Sequence, residues 1–187
     1  MGRSAFSFII NIHGYKISMI MQATGGQSVR INQSFEQGVV CLLMLSLQKD
    51  GRAVGSETLS ELMGVSDSYL KKTLRKLVLA GLVESRAGRD GGFALARPID
   101  RISLGDAFRA LDPDAFAFSG SKIAEDVFVG CSQLDDSEWR ITRILDEAGK
   151  AFMDKLDAHP LTELLRTDAW VEKPRDWASE ALKRKDG

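Results

Sequence analysis

The sequence predicts a mainly α-helical chain with one small β-hairpin and a long helix toward its C-terminal end. Three observations predict it. Two short amphipathic helical patterns are separated only by Gly64-Val65-Ser66; the glycine-rich stretch "SRAGRDGGFALARP" sits between two apolar segments; and an extended helical pattern runs from Asp136 to Ala158. At 187 residues, 44% hydrophobic and 27% charged, the chain can bury one well-formed core with an added association element.

Residues 1–30 read as an N-terminal extension, poorly ordered or an over-long start, with Met19 or Met21 as alternative first residues. Their apolar run from Ala5 to Ile12 is interrupted by Asn11, His13 and Lys16, which falls short of a membrane span or a signal core. The main domain is expected over 31–112. "FEQGVVCLLMLSLQ", Phe35 to Gln48, lacks proline and is too long for a strand, so it reads as a buried first helix closed by Gly51. Cys41 inside it reads as a small core residue. Ser56 is placed as the N-cap of a second helix carrying Leu59, Leu62 and Met63, which Gly64 stops. Ser66 then caps a third, whose Leu70, Leu74, Leu77 and Val78 form a core-facing stripe.

The opposite face of this third helix raises the functional question. At ~100° per residue, Ser68, Lys71, Lys72, Arg75 and Lys76 point away from the stripe, with Tyr69 at its edge. One reading is a solvated face with cations near the negative helix end. The other is a recognition helix, with Ser66, Ser68 and Tyr69 toward base edges and cations behind them for phosphates. Gly81 ends the helix, Leu82-Val83 begin a strand, and Phe93 and Leu95 share one face of the returning strand. Arg86, Gly88 and Arg89 make the tip, and Gly88, Gly91 and Gly92 keep it thin enough for a minor groove ~6 Å wide. The same stretch is no nucleotide loop: it lacks a Gly-Lys-Ser/Thr ending and a helix directly after it. Two helices around a glycine turn followed by such a hairpin make a winged helix-turn-helix.

Ser103 and Asp106 form a capping pair for a helix with Leu104, Ala107, Phe108 and Leu111 on its buried face, ended by Asp112-Pro113-Asp114. A connector over 113–135 contains Cys131. In the long helix Trp139, Ile141, Ile144, Leu145, Ala148, Phe152 and Leu156 form one stripe. The domain offers little to cover it, so a second copy is the expected partner and a two-fold dimer the expected assembly; folding back on the first helix is the alternative. Pro160 stops this helix and a short capped one is expected from Thr162, completing a unit at 136–166. The tail, 167–187, is expected to be weakly ordered over its last dozen residues, with Trp170 and Trp177 as local packing anchors.

The net charge of -1 hides a split. Between Ser66 and Arg101 there are eight basic and four acidic residues; from Asp112 onward, 11 basic face 17 acidic. The middle suits a polyanion and the remainder would be repelled by one. Two cysteines and two histidines, widely scattered, offer no metal-ligand spacing, and such sparse cysteine fits a reducing cytoplasm. Serine elbows and zinc-binding histidine pairs are missing, so an enzyme is not expected. A winged helix used only for protein contact or ligand sensing is the competing reading.

"LSELMGVSDSYLKKTLRKLVLAGLVESRAGRDGGFALARPIDRISLGDAFRAL" resembles the Rrf-two family of bacterial winged-helix transcriptional regulators. The likeness covers roughly Ile31 to Leu111 and more loosely the long helix and "PLTELL". It rests on Ser66-x-x-Tyr69-Leu70, Ala80-Gly81-Leu82-Val83, Gly91-Gly92-Phe93 and Ile102-Ser103-Leu104 taken in order. The resemblance implies a cytoplasmic homodimer on a partly palindromic double-stranded DNA operator, a repressor, with the recognition helix in the major groove and the wing in the minor groove. By it, Ser66, Ser68, Tyr69 and Lys72 face base edges and nearby phosphates, Lys71, Arg75 and Lys76 lend electrostatic support, and Arg86, Gly88 and Arg89 form the wing tip. The dimer interface falls on Trp139, Ile144, Leu145, Ala148, Phe152 and Leu156. Members holding an iron-sulfur cluster carry three clustered cysteines before the dimer helix. Here that segment offers only Cys131, so no cofactor is expected. Cys131 reads either as a single-thiol redox sensor or as an inert half-buried cysteine, with a small-molecule effector near the connector as the other route to regulation. The basic start usual in the first helix is replaced by "NQSFEQG".

Overall fold

In a computed structural model of the chain, the structure describes residues 21–22, 28–29, 32–115, 127, 134–165 and 174–185. Strands β1 (Met21–Gln22) and β2 (Ser28–Val29) form a short antiparallel pair. Helices α1 (Gln33–Leu47), α2 (Ser56–Met63) and α3 (Asp67–Leu79) follow, then hairpin strands β3 (Val83–Arg86) and β4 (Gly92–Leu95), and helices α4 (Leu104–Leu111), α5 (Leu134–Asp157) and α6 (Trp177–Lys185). The expected fold class, mainly α with a small wing and a long C-terminal helix, is the one observed.

α1 begins ahead of its apolar run because Asn32 Oδ1 accepts the Ser34 N–H at 2.9 Å. Phe35, Val39, Leu42 and Leu43 are buried from it against Leu59, Leu70, Leu74, Leu77 and Leu111. At the end of α2, Gly64 takes φ 67° and ψ 34°, and its N–H reaches the Glu61 and Ser60 carbonyls. This left-handed conformation is open to glycine without strain, and it turns the chain sharply into α3. Ser56 is not the cap of α2, as its residue type suggested. Gly55 holds the cap position and Ser56 is the first helical residue, buried beside the Asp67 carboxylate. Ser66 holds the N-cap position of α3 without a side-chain cap bond; its Oγ lies 2.9 Å from Ser68 Oγ instead.

The hairpin pairs Val83 with Leu95, Glu84 with Ala94, Ser85 with Phe93 and Arg86 with Gly92. Phe93 and Leu95 are half-buried against the core, and Ala94 between them is buried. A third line of pairing joins it: Val54 and Phe93 exchange both backbone hydrogen bonds at 2.9 Å, tying the wing to the approach of α2.

α4 carries the full capping box. Ser103 Oγ accepts the Asp106 N–H at 3.0 Å, and Asp106 Oδ2 accepts the Ser103 N–H at 3.1 Å. The end of α5 is fastened to the start of α4. Leu104 N–H donates to the His159 carbonyl, Leu161 N–H donates to the Ile102 carbonyl, and the Arg109 guanidinium spans Asp106 and Asp157. The long stripe therefore divides. Phe152, Met153 and Leu156 pack into the domain of their own chain, with Phe152 edge-on to Phe108 at 5.2 Å. Ile141, Ile144 and Leu145 stay exposed, as does Ala148. The expectation that the chain itself could not cover the stripe thus fails for Phe152 and Leu156, because α4 presents Phe108 to Phe152 and the domain core takes in Leu156. Trp139 lies in α5 outside the residues whose side chains are described.

The short capped helix expected from Thr162 is a 3-10 turn, Leu161–Leu165, held by the buried Leu161. The C-terminal dozen residues, expected to be weakly ordered, carry α6. Trp177 is 4% exposed, its Nε1–H donates to the Met44 carbonyl at 2.7 Å and its backbone N–H donates to Gln48 Oε1 at 3.3 Å. Ahead of it, Lys49 and Arg175 N–H groups donate to the Arg175 and Leu47 carbonyls, both at 2.7 Å. Cys131 and Trp170 lie outside the described residues.

Candidate nucleic-acid interface

α3 divides cleanly by face. Leu70, Leu74 and Leu77 are fully buried and Thr73 nearly so, whereas Ser68, Tyr69, Lys71, Lys72, Arg75 and Lys76 are exposed. The 3.6-residue period and the buried leucines fix this orientation, because turning the helix would expose its whole apolar stripe. The turn at Gly64 leaves Ser66 and Ser68 at the advancing end of α3, both exposed, with their hydroxyls in mutual contact.

The cations on this face differ in what they already hold. Lys71 Nζ lies 2.7 Å from Asp67 Oδ2, and Lys71 first, with Ser56 second, keeps the Asp67 carboxyl below the usual carboxylate range. Lys76 Nζ donates to the Leu111 carbonyl at 2.9 Å, closing the end of α4. Lys72 and Arg75 make no hydrogen bond or ion pair among the described residues, so their charge is available outward. In the wing Arg86 is drawn back, paired with Glu84 at 2.6 Å and donating to the Gly51 carbonyl. Arg89 stands at the tip without a partner among the described residues, beside Gly88 at φ 110° and a Gly91 N–H to Gly88 carbonyl turn.

The structure adds a feature absent from the sequence reading. An open cleft of about 550 Å³ runs between the start of α1 and the turn, lined by Gln33, Gln37, Val65, Ser66, Tyr69 and Lys72 among others. Gln37 is buried, and its Oε1 has no hydrogen-bond partner among the described residues. A glutamine inside the apolar run of α1 is the signal that marks it. The cleft extends the polar surface of α3 toward α1.

A family model described as an iron-dependent transcriptional regulator, Rrf2, matches residues 31–167. The chain belongs to the Rrf2 family. It is a DNA-binding transcriptional regulator with the winged helix-turn-helix fold. Among relatives, it is 33% identical over 154 residues to YwgB of Bacillus subtilis (strain 168), named as an HTH-type transcriptional regulator, covering 78% of this chain and 96% of that one. YffB of Lactococcus lactis, named likewise, is 33% identical over 64% of this chain and 76% of its own. The fold is shared with the global cysteine regulator CymR of B. subtilis, at TM-score 0.52 and 23% identity over 75% of this chain and 99% of that chain. T. potens IscR matches at TM-score 0.53 and 23% identity over 81% and 96%.

The iron in the family's description calls for donors, and this Rrf2 chain does not supply a cysteine cluster. It has two cysteines in all. Cys41 is fully buried on α1 with its Sγ 3.7 Å from Met63 Sδ, and burial pushes its thiol up to about 12, far from the thiolate a metal needs. His159 is bound through Nδ1 to Glu163, and among the described residues no three His, Cys, Asp or Glu side chains gather as a metal site. These residues do not fit an iron-sulfur cluster held by three cysteines. No helix among the described residues is long and apolar enough to cross a membrane.

Proposed function

We propose that this Rrf2 regulator is a cytoplasmic homodimeric repressor that reads a partly palindromic operator with α3 in the major groove and the hairpin in the minor groove. The observation that carries the reading is the exposed face of α3: Ser66, Ser68 and Tyr69 at its leading end, with Lys72 and Arg75, unpartnered among the described residues, behind them. Small hydroxyl and phenol groups read base edges, while cations a turn or more behind meet phosphates. Lys71 and Lys76, each engaged within the chain, act at longer range. Arg89 is the wing residue offered to the narrow groove, whose negative potential attracts arginine; Arg86 and Gly88 set the tip.

The exposed Ile141, Ile144 and Leu145 on α5 support a two-fold partner along the N-terminal half of that helix, with Trp139 and Ala148 completing the seam. In this reading residues 31–112 form the DNA-binding unit, 136–166 the assembly unit, and the connector 113–135 with Cys131 carries the response to a small-molecule or redox signal. The test is selection of bound fragments from genomic DNA by the purified protein, followed by salt titration on the selected site. Enrichment of a two-fold symmetric sequence, with log K falling by ~0.9 per log salt for each phosphate neutralised, supports the proposal. Recovery of no common sequence overturns it.

A further inference from the structure

The family match ends at residue 167, yet the chain returns in α6 to the DNA-binding unit. Its N-terminal end is anchored on α1 through Trp177, and its C-terminal end lies on the last turn of α2. Arg184 Nη1 donates to the Leu62 carbonyl at 3.0 Å, and Lys185 Nζ lies 3.0 Å from Glu61 Oε2. Two residues beyond Leu62 is Gly64, whose turn launches α3. At 1.5 Å of rise per residue Glu61 stands roughly 5 Å along the helix from that turn, inside a Debye length of ~8 Å. The field of the α6 terminus therefore reaches the place where the recognition helix begins.

Three consecutive cations, Lys183, Arg184 and Lys185, occupy that terminus, all exposed. Facing them on α2 is Glu61, which alone would repel a polyanion; Glu180, one turn back in α6, is paired with Arg175. A purely structural role accounts for Arg184, seated on a terminal carbonyl of α2, and for Lys185, paired with Glu61. It does not account for Lys183, which has no hydrogen bond or ion pair among the described residues. We propose that the basic end of α6 is a second contact for the phosphate backbone of duplex DNA, flanking the recognition helix on the α2 side, with Lys183 meeting phosphate and Arg184 and Lys185 anchoring that end on α2.

This inference rests on α3 entering duplex DNA, and its test separates the two. A mixed-sequence duplex is titrated against full-length protein over a range of salt by fluorescence anisotropy, comparing the wild type with Lys183→Ala, Lys183→Ala/Lys185→Ala and Arg75→Ala. All are surface changes, and unchanged melting temperatures verify the folds. The expected result is a slope shallower by ~0.9 for Lys183→Ala and at least as shallow for the double variant. Wild-type slopes in both α6 variants, with a shallower slope in Arg75→Ala, overturn the flanking contact and leave the α3 reading standing. A wild type that binds no duplex at any salt overturns both.

Discussion

Two lysines one helical turn apart on α3 have different tasks. Lys72 projects its charge outward, whereas Lys76 closes the last carbonyl of α4 at Leu111. Lys72→Ala is therefore expected to weaken binding to every duplex alike and reduce the salt slope by ~0.9, with the melting temperature unchanged. Lys76→Ala is expected to cost about 1 kcal/mol of stability in urea unfolding, because it leaves a carbonyl without its charged donor. Ser68→Ala and Tyr69→Ala should instead alter preference among sequences in a binding-site selection. Cys41 gives a residue-scale prediction of another kind. Its folded-state thiol, raised to about 12 by burial, holds its proton where an unfolded thiol loses it. That contribution to stability is complete below the ordinary thiol value near 9 and is lost as pH rises toward 12. Iodoacetamide at pH 8 should leave Cys41 unmodified in the folded protein and alkylate it readily in urea.

Elements with their own periodicity were legible from the sequence. The stripe of α3, the Gly64 turn and the Ser103–Asp106 capping box depend on residues close along the chain, so local chemistry determines them. What was hidden is long-range. The Val54 bridge to Phe93 is a single pair with no alternation to read. The docking of α6 depends on a Met44 carbonyl far away in sequence. The α4–α5 joint was hidden for the same reason, and it is tightly fitted. A Cβ at Gly105 would collide with the Asp157 carboxylate that Arg109 grips. Gly105→Ala is expected to destabilise by about 1–3 kcal/mol in urea titration through this overpacking. Arg109 above all holds the Asp157 carboxyl below its usual range, with Ser103 assisting. Its stabilising contribution is present above the ordinary carboxylate value near 4 and lost as pH falls through the lowered one. An acid titration of unfolding should therefore be shallower for Asp157→Asn than for the wild type.

At the scale of the whole molecule, one long helix serves two surfaces. Its C-terminal half completes the domain core through Phe152 and Leu156, and its N-terminal half leaves Ile141, Ile144 and Leu145 uncovered. The sequence showed a single stripe and could not show where α4 interrupts it. Substitution in the uncovered half should separate assembly from folding. Ile144→Glu is expected to shift the protein from dimer to monomer in sedimentation velocity, with little change in circular dichroism and a loss of at least tenfold in operator affinity as one half-site disengages. The α6 anchor also sets a clock. Gln48 receives the Trp177 N–H across 129 residues of chain. At ~5–20 residues per second of synthesis, roughly 6–26 s separate the emergence of the two. Throughout that interval the end of α1 lacks the cover that Trp177 supplies, so the newborn chain is exposed to misassociation there until α6 arrives.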